Sequence, residues 1–373
     1  MSISENTPAL SPSSPFRPGE EITLTINDLA FGGKGVGRVN GIACFVPGVI
    51  DGETVRVRII KVKARFMEAI LLEVLESSPH RVEAPCPVFL KCGGCNYQHI
   101  DYGHQLAFKE KQLAQALKRL GGLETPPVNP MLPSPHPYNY RNRISVHFKD
   151  GIVGFYAEGS NRVVPVDRCL IASEEVNEGL KDLLKSRPQT GDALIGEKKR
   201  YGGFRQVNNA VAEILKETVR NAVHPVEVPG ELLIDAYCGA GFFGHELHNL
   251  FIKVIGIERS IASVAMASRQ GAVNEEYHAG NVEDLLPAAL ATASSKGTVL
   301  LLDPPSEGLA DVVTEAILDR PPARIVYVSC DPATLARDVK RLAESYRLVK
   351  VTPLDMFPQT AEIESVSLFE LLN

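Results

Sequence analysis

Asp235, Glu258, Asn281, Asp303 and Cys330 each close an apolar run that reads as a strand: ELLIDAY, KVIGIE, the segment leading into GNVEDLL, TVLLLD and RIVYVS. In an open α/β sheet such positions share the crevice beyond the carboxyl edge of the strands, where ligands bind. One polar strand end means little, whereas five in succession imply a single site. The turn Gly239-Ala240-Gly241 after Asp235 lacks bulky side chains, so a nucleotide-like ligand and the following helix start can approach its backbone. Glu258, 23 residues after Asp235, is placed to accept hydrogen bonds from both hydroxyls of a ribose. Cys330, in Ser329-Cys330-Asp331-Pro332, is either a packed thiol or a nucleophile. ATLARDVKRL reads as a helix opening just beyond it, and backbone N–H groups at a helix start favour a thiolate.

A second constellation is made of sulfur. Cys86, Cys92 and Cys95 follow a Cys-x5-Cys-x2-Cys spacing, and Cys169 stands 73 intervening residues further on. Four thiolates suit either zinc or an iron–sulfur cluster, and the spacing leaves both open. Seven cysteines in a chain with no export signal read as ligands or nucleophiles rather than disulfides. Cys44 and Cys238, outside both groups, read as buried and inert.

The elements that must position these residues follow from patterning. The 373 residues suit two or three domains, and 44% apolar with 23% charged residues excludes a largely disordered or collagenous chain. No apolar run approaches the roughly 18 residues of a membrane span, and MSISENTPALSPSSPFRP lacks the marks of a signal peptide, so a cytoplasmic protein without a membrane partner is expected. Residues 1–18, with nine Ser or Pro, read as a disordered tail. Strand-like alternation over 21–76 predicts a small antiparallel barrel within a first domain of residues 19–77. VRVRIIKVKAR carries Arg56 and Arg58 on one alternation and Lys61, Lys63 and Arg65 on the other; a bulge at Ile59-Ile60 would join them into either an RNA-facing surface or a solvated barrel face. Residues 78–200 form a small α+β central domain with the four cysteines, a helix near Leu106–Leu120 and strands ISVHF and GIVGFY. Residues 201–373 open with an amphipathic helix from Phe204, and their strand–helix alternation predicts a doubly wound parallel sheet. The net charge of −6 opposes bulk attraction to nucleic acid. Residues 1–200 hold 25 Lys+Arg against 22 Asp+Glu and residues 201–373 hold 14 against 23, so polyanion contacts favour the first half.

YVSCDPATLARD, LLLDPPSEGL, DAYCGAGFFG, GFRQVN and FPQTAEIES together resemble the RNA uracil-C5 methyltransferases that use S-adenosylmethionine, over roughly residues 20–373. The resemblance implies a class I methyltransferase sheet preceded by an OB-like TRAM barrel that binds RNA. It implies contacts to S-adenosylmethionine from Gln206, Tyr237, Glu258, Asn281 and Asp303 beside Gly239 and Gly241. Cys330 would add to C6 of uracil and so make C5 nucleophilic, and Glu364 would remove the C5 proton. Cys86, Cys92, Cys95 and Cys169 would hold a [4Fe-4S] cluster. The implied substrate is a uridine of 23S ribosomal RNA, with transfer RNA as the alternative; a non-catalytic RNA-binding or folding factor and an amino-methyltransferase are rivals. Phe242, Ser306, Gln359 and Glu362 depart from the family's motifs, which implies altered cofactor and substrate positioning.

Overall fold

The computed structural model describes residues 15–186, 188–197, 206–224, 229–292 and 294–372. Expectations placed on residues 1–14, on the 200/201 boundary and on Gly203-Phe204-Arg205 fall outside those residues. Period-two alternation in the first part produces five strands, β1 (Glu21–Leu29), β2 (Lys34–Val39), β3 (Ile42–Pro47), β4 (Thr54–Val62) and β5 (Phe66–Glu76), closed in the order β1-β2-β3-β5-β4. Leu24, Ile26, Val46, Val57 and Met67 fill the interior. The barrel is not wholly antiparallel, because β3 pairs with β5 in parallel. An odd number of strands cannot close a ring of alternating directions, so one parallel seam is required. Phe16 corrects the expected extent of the tail: it is buried in the barrel core, which gains from its aromatic surface.

The register shift between Ile59 and Lys61 is the anticipated bulge, and it leaves Arg56, Arg58 and Lys61 all exposed. These cations are not free, however. Arg56 pairs with Glu21 and Glu73, Arg58 with Glu21, and Lys61 with Glu68.

Helix α1 (Tyr102–Arg119) begins a turn before the periodic apolar residues because the Asp101 carboxylate accepts the His104 N–H and caps it. It is followed by β6 (Arg143–Lys149), β7 (Ile152–Tyr156), β8 (Val163–Pro165), α2 (Glu174–Ser186) and β9 (Thr190–Gly196). The four strands form a sheet in the order β8-β7-β6-β9, with Val176 and Leu180 of α2 in its core.

The third part comprises α3 (Asn209–Val223), β10 (Gly230–Ala236), α4 (Gly244–Leu247), β11 (Phe251–Glu258), α5 (Ile261–Gln270), β12 (Glu275–Ala279), α6 (Val282–Leu290), β13 (Thr298–Leu302), α7 (Asp311–Asp319), β14 (Arg324–Ser329), α8 (Pro332–Leu342), β15 (Tyr346–Leu354) and β16 (Glu364–Leu371). Its seven strands run β12-β11-β10-β13-β14-β16-β15. Alternation sends Leu232 and Ile234 of β10 into a core with α6 and α8, and Leu233 into a second core with α3. Leu113 and Leu117 of α1 join the first of these cores.

The sheet departs from the all-parallel expectation at β16, which is antiparallel to both neighbours, and β15 beside it was not foreseen as a strand. Residues 355–363 between β15 and β16 are too few for a parallel crossover, which needs a dozen or more, so the chain turns back. This reversal puts the first residue of β16, Glu364, at the edge where the parallel strands end.

The returning segment is clamped from α1. Lys109 Nζ stands 2.6 Å from Asp355 Oδ1 with neither side chain exposed, and also donates to the Phe357 carbonyl. Tyr102 Oη donates to Asp355 Oδ2 at 2.8 Å. Removing one partner of such a pair strands a buried charge. Lys109→Met is therefore expected to lower unfolding free energy by about 3–5 kcal/mol in urea titrations, and Lys109→Met with Asp355→Leu by clearly less. Among the described residues no helix is long and apolar enough to cross a membrane.

Candidate active site

The chain lays β10 first, moves outward to β12 and returns to set β13 on the other side of β10. The ends of β10 and β13 thus diverge into loops on opposite faces and leave a crevice between them. A cavity of about 870 Å³ occupies it. Gln206, Tyr237, Gly239, Glu258, Asn281 and Asp303 line this cavity together with Cys330 and Glu364.

The glycine turn shapes one wall. Tyr237 holds φ 66° although it is not glycine, a strained conformation fixed by the surrounding packing. At Gly239, with φ 55°, a Cβ would meet nothing within 4 Å, so the backbone faces open space. Gly241 differs from expectation, since it is not part of the wall: with φ 83°, its Cβ would lie 2.5 Å from His245 Nε2. It makes the turn rather than the surface. Glu258 accepts the Gly239 N–H at 3.3 Å and the Ser260 N–H at 2.7 Å, which fixes its carboxylate at the rim. Asn281 precedes α6 and donates from Nδ2 to Asp284. Beneath the turn, Asp235 accepts the Gly244 N–H while burial and the charge of Asp303 push its pKa up to about 8. Burial pushes Asp303 up to about 7.

Sequence patterning did not single out Arg259, Ser263, Glu283 or Phe357, which also line the cavity. Arg259 and Ser263 follow the strand-end Glu258 closely enough to have been inferred; Glu283 and Phe357 depend on how α6 and the β15–β16 connection pack. Among the described residues the wall carries Glu258, Glu283, Asp303 and Glu364 against the single cation Arg259. Such a surface favours a cationic ligand over a phosphate.

Cys330 follows β14 directly, and Glu364 opens the neighbouring β16; Ser329 and Ser365 pair across the two strands. The helix-start expectation for the thiol is overturned. Asp331 Oδ1 accepts both the Ala333 and Thr334 N–H groups at 2.8 Å, and Pro332 has none to offer. Burial and the charges of Glu364, Asp303 and Glu362 instead raise the Cys330 thiol to about 12. Glu364 is only 4% exposed, and burial with the charges of Asp303 and Glu362 holds its carboxyl well above the usual range. The Cys330 thiol is thus held towards its protonated form, and the ionisation of Glu364 is shifted to higher pH.

The departing motif residues separate. Phe242 lines the cavity, whereas Gln359 is buried outside it with φ 69°. Gln359 Oε1 accepts from Gln105 Nε2–H, and the Gln359 backbone N–H donates to Gln105 Oε1. Ser306 and Glu362 are exposed.

Cys86, Cys92, Cys95 and Cys169 converge on another cavity, of about 180 Å³. The Gly94 N–H points at Cys92 Sγ at 3.4 Å, and Asn177 holds the Cys169 backbone through both its N–H and its carbonyl. Burial and the proximity of the other thiols push Cys95 up to about 12. Among the described residues no group of three or more His, Cys, Asp or Glu side chains is arranged to hold a metal ion. Four half-buried thiols around one space are nevertheless a donor set that a multiply charged cationic core would neutralise. Directly after Cys95, the Asn96 and Tyr97 N–H groups both donate to the Gln359 carbonyl, so the cysteine segment abuts the loop that leads to Glu364.

The sequence matches the TRAM domain over residues 15–72 and the tRNA (Uracil-5-)-methyltransferase family over residues 289–371. An uncharacterized RNA methyltransferase of Gloeobacter violaceus is 32% identical, covering 94% of this chain and 97% of its own. One of Thermosynechococcus vestitus is also 32% identical, with coverages of 95% and 99%. Among solved structures, the Pyrococcus abyssi tRNA (uracil-54, C5)-methyltransferase in complex with S-adenosyl-L-homocysteine aligns with a TM-score of 0.69 at 25% identity, covering 93% of this chain and all of that one.

Proposed function

We propose, given that this chain belongs to the S-adenosylmethionine-dependent RNA uracil-C5 methyltransferases, that it methylates a uridine of 23S ribosomal RNA in the cytoplasm through a covalent bond between Cys330 and C6 of the base. The observation that carries the proposal is the placement of Cys330, directly after β14, and Glu364, at the start of the adjacent β16, both lining the acidic cavity that also meets the glycine turn and Glu258. S-adenosylmethionine, when bound, supplies a methyl group on a cationic sulfur, a charge that complements this wall. Gly239, Glu258, Gln206, Tyr237, Asn281 and Asp303 are the residues that would hold it.

Carbon 5 of uracil is too weak a nucleophile to accept a methyl group unaided. Cys330 releases its proton to water and bonds through Sγ to C6, moving the C5–C6 π electrons onto the C4 oxygen as an enolate. The enolate carbon C5 then takes the methyl group. Glu364, as carboxylate, accepts the proton left on C5; those electrons restore the C5–C6 double bond as the Sγ–C6 bond breaks. One methyl group enters, one proton leaves, and the thiolate is regenerated. The target base must leave its stack for Sγ to reach it.

A barrel and a four-cysteine segment accompanying the catalytic sheet support ribosomal RNA. A transfer-RNA uridine is the second reading, favoured by the full-length likeness to the Pyrococcus abyssi enzyme. Incubation with unmodified transcripts of each RNA, followed by mass spectrometry of digested nucleosides, is expected to find 5-methyluridine in 23S RNA; methylation confined to transfer RNA would replace the first reading with the second.

Cys86, Cys92, Cys95 and Cys169 are taken to hold a [4Fe-4S] cluster that ties the central sheet to the Gln359 loop. Anaerobically purified protein is expected to contain iron and acid-labile sulfide in equal amounts, both lost in Cys169→Ser. Stoichiometric zinc without iron would overturn the assignment.

A further inference from the structure

The acid-lined cavity suits a cation and an uncharged base, but it repels the phosphates on either side of that base. A different surface must receive them. The cations on β4 are spent on Glu21, Glu73 and Glu68. One other large cavity, of about 590 Å³, lies among the barrel, the end of α1 and the first residues of α8. Pro332 and Ala333 form part of its wall, and only Asp331 separates them from Cys330 in the chain. At 3.8 Å per Cα step, Pro332 is within about 8 Å of Cys330.

The composition of this groove is the reverse of the first. Phe31, just after β1, and Leu120, just after α1, are each 52% exposed. Arg38 of β2 donates only to the Gly41 carbonyl, and Arg119 in the last turn of α1 has neither hydrogen bond nor ion pair among the described residues. Asp28, the one acid on the wall among the described residues, is neutralised by Lys111 at 2.9 Å. Exposed aromatic surface beside uncommitted arginines is the combination that binds single-stranded nucleic acid, with bases on the apolar face and phosphates on the cations.

We propose that this groove between barrel, α1 and α8 binds the RNA nucleotides that immediately flank the target uridine. The inference rests on the reading of Cys330 as the point where the target base is attacked. Extruding that base removes a stacking partner from its neighbours, and Phe31 with Leu120 replaces it within one or two nucleotides of the reacting thiol. Arg119 and Arg38 hold the adjoining phosphates.

The test uses the full chain with the transcript that the wild-type protein methylates, 23S or transfer RNA, carrying 4-thiouridine one to three nucleotides from the target. Near-ultraviolet irradiation is expected to crosslink it to peptides containing Phe31 or Leu120. Phe31→Ala and Arg119→Glu are each expected to raise KM for RNA roughly tenfold, with methyl-donor affinity and turnover at saturating RNA retained. Arg119→Ala should also lower the slope of log KM against log salt by about one. Intact methylation with unchanged KM, unchanged salt slope and crosslinks elsewhere would overturn the groove alone. Loss of a co-purifying protein in Phe31→Ala, with RNA kinetics unaffected, would assign the groove to a protein partner and equally overturn it. Should the wild-type protein make no 5-methyluridine, filter binding of the same transcripts decides separately: weakened binding in Phe31→Ala and Arg119→Glu keeps the groove while the methylation chemistry falls, and unaltered binding removes both.

Discussion

Cys330→Ala is expected to reduce methyl transfer by roughly 10⁴-fold or more and to abolish the stable protein–RNA adduct formed with 5-fluorouridine RNA. The size of the effect comes from chemistry rather than from binding. Without an atom bonded to C6, C5 of uracil retains its ordinary electron distribution, and no other nucleophilic side chain among the described residues shares the cavity wall in Cys330's position; Cys238, also on that wall, lies almost fully buried, with burial and the charge of Asp235 raising its thiol further. Fluorine cannot leave C5 as a proton does, so the wild-type reaction stalls with the Sγ–C6 bond intact and the complex runs as a retarded band on a denaturing gel. Methyl-donor binding should be unchanged, because the residues proposed to hold the donor, Gly239 and Glu258 among them, are left intact. A band that persists in Cys330→Ala would remove Cys330 from the mechanism. Failure of the wild-type protein to form either the band or 5-methyluridine on any RNA would favour the non-catalytic RNA-binding alternative.

The residues at strand ends were legible because burial and period carry that information locally. Glu258, Asp303 and Cys330 each follow a run of buried residues, and a parallel sheet puts such ends on one edge; Asp235, expected with them, is instead fully buried beneath the glycine turn and does not line the cavity. The barrel was legible for the same reason, through alternation. What escaped depends on contacts distant in sequence. The direction of β16 is decided by the length of the segment before it, and nothing in the sequence of β16 itself distinguishes parallel from antiparallel pairing. The thiol environment was misjudged because the helix start was read without its cap. Asp331 takes the N–H groups that would otherwise have faced Cys330, and the acids that act on it come from the turn after β13, from β16 and from the loop before β16. Phe16 lies in a Ser/Pro-rich segment whose composition suggests disorder, yet one aromatic ring with a cavity to fill is enough to order its neighbours. Gly241 was grouped with Gly239 on composition alone, although only one of the two has open space where a side chain would stand.

Glu364→Gln is expected to separate the two halves of the reaction. The amide cannot accept the C5 proton, so the methylated base should remain bonded to Cys330 and turnover should fall by about 10²–10⁴-fold, the usual contribution of a positioned base. Adduct formation should survive. The negative charge of Glu364 is among the causes that raise the Cys330 thiol, and replacing it by a neutral amide lowers that barrier, so alkylation of Cys330 by iodoacetamide should be no slower in the variant than in the wild type. The same substitution fixes the pH dependence. Because burial and nearby acids hold the Glu364 carboxyl above its ordinary range, the ionised form that accepts a proton becomes more populated as pH rises. Wild-type release of methylated RNA should therefore accelerate with pH towards a plateau, and the residual release in Glu364→Gln should lose that rising limb. Single-turnover assays with unfluorinated RNA, quenched in denaturant across a pH series, read both quantities. An amide variant that forms no adduct at any pH would mean that Glu364 ionises the thiol instead of resolving the adduct, because only a base needed before the Sγ–C6 bond forms would stop the reaction there.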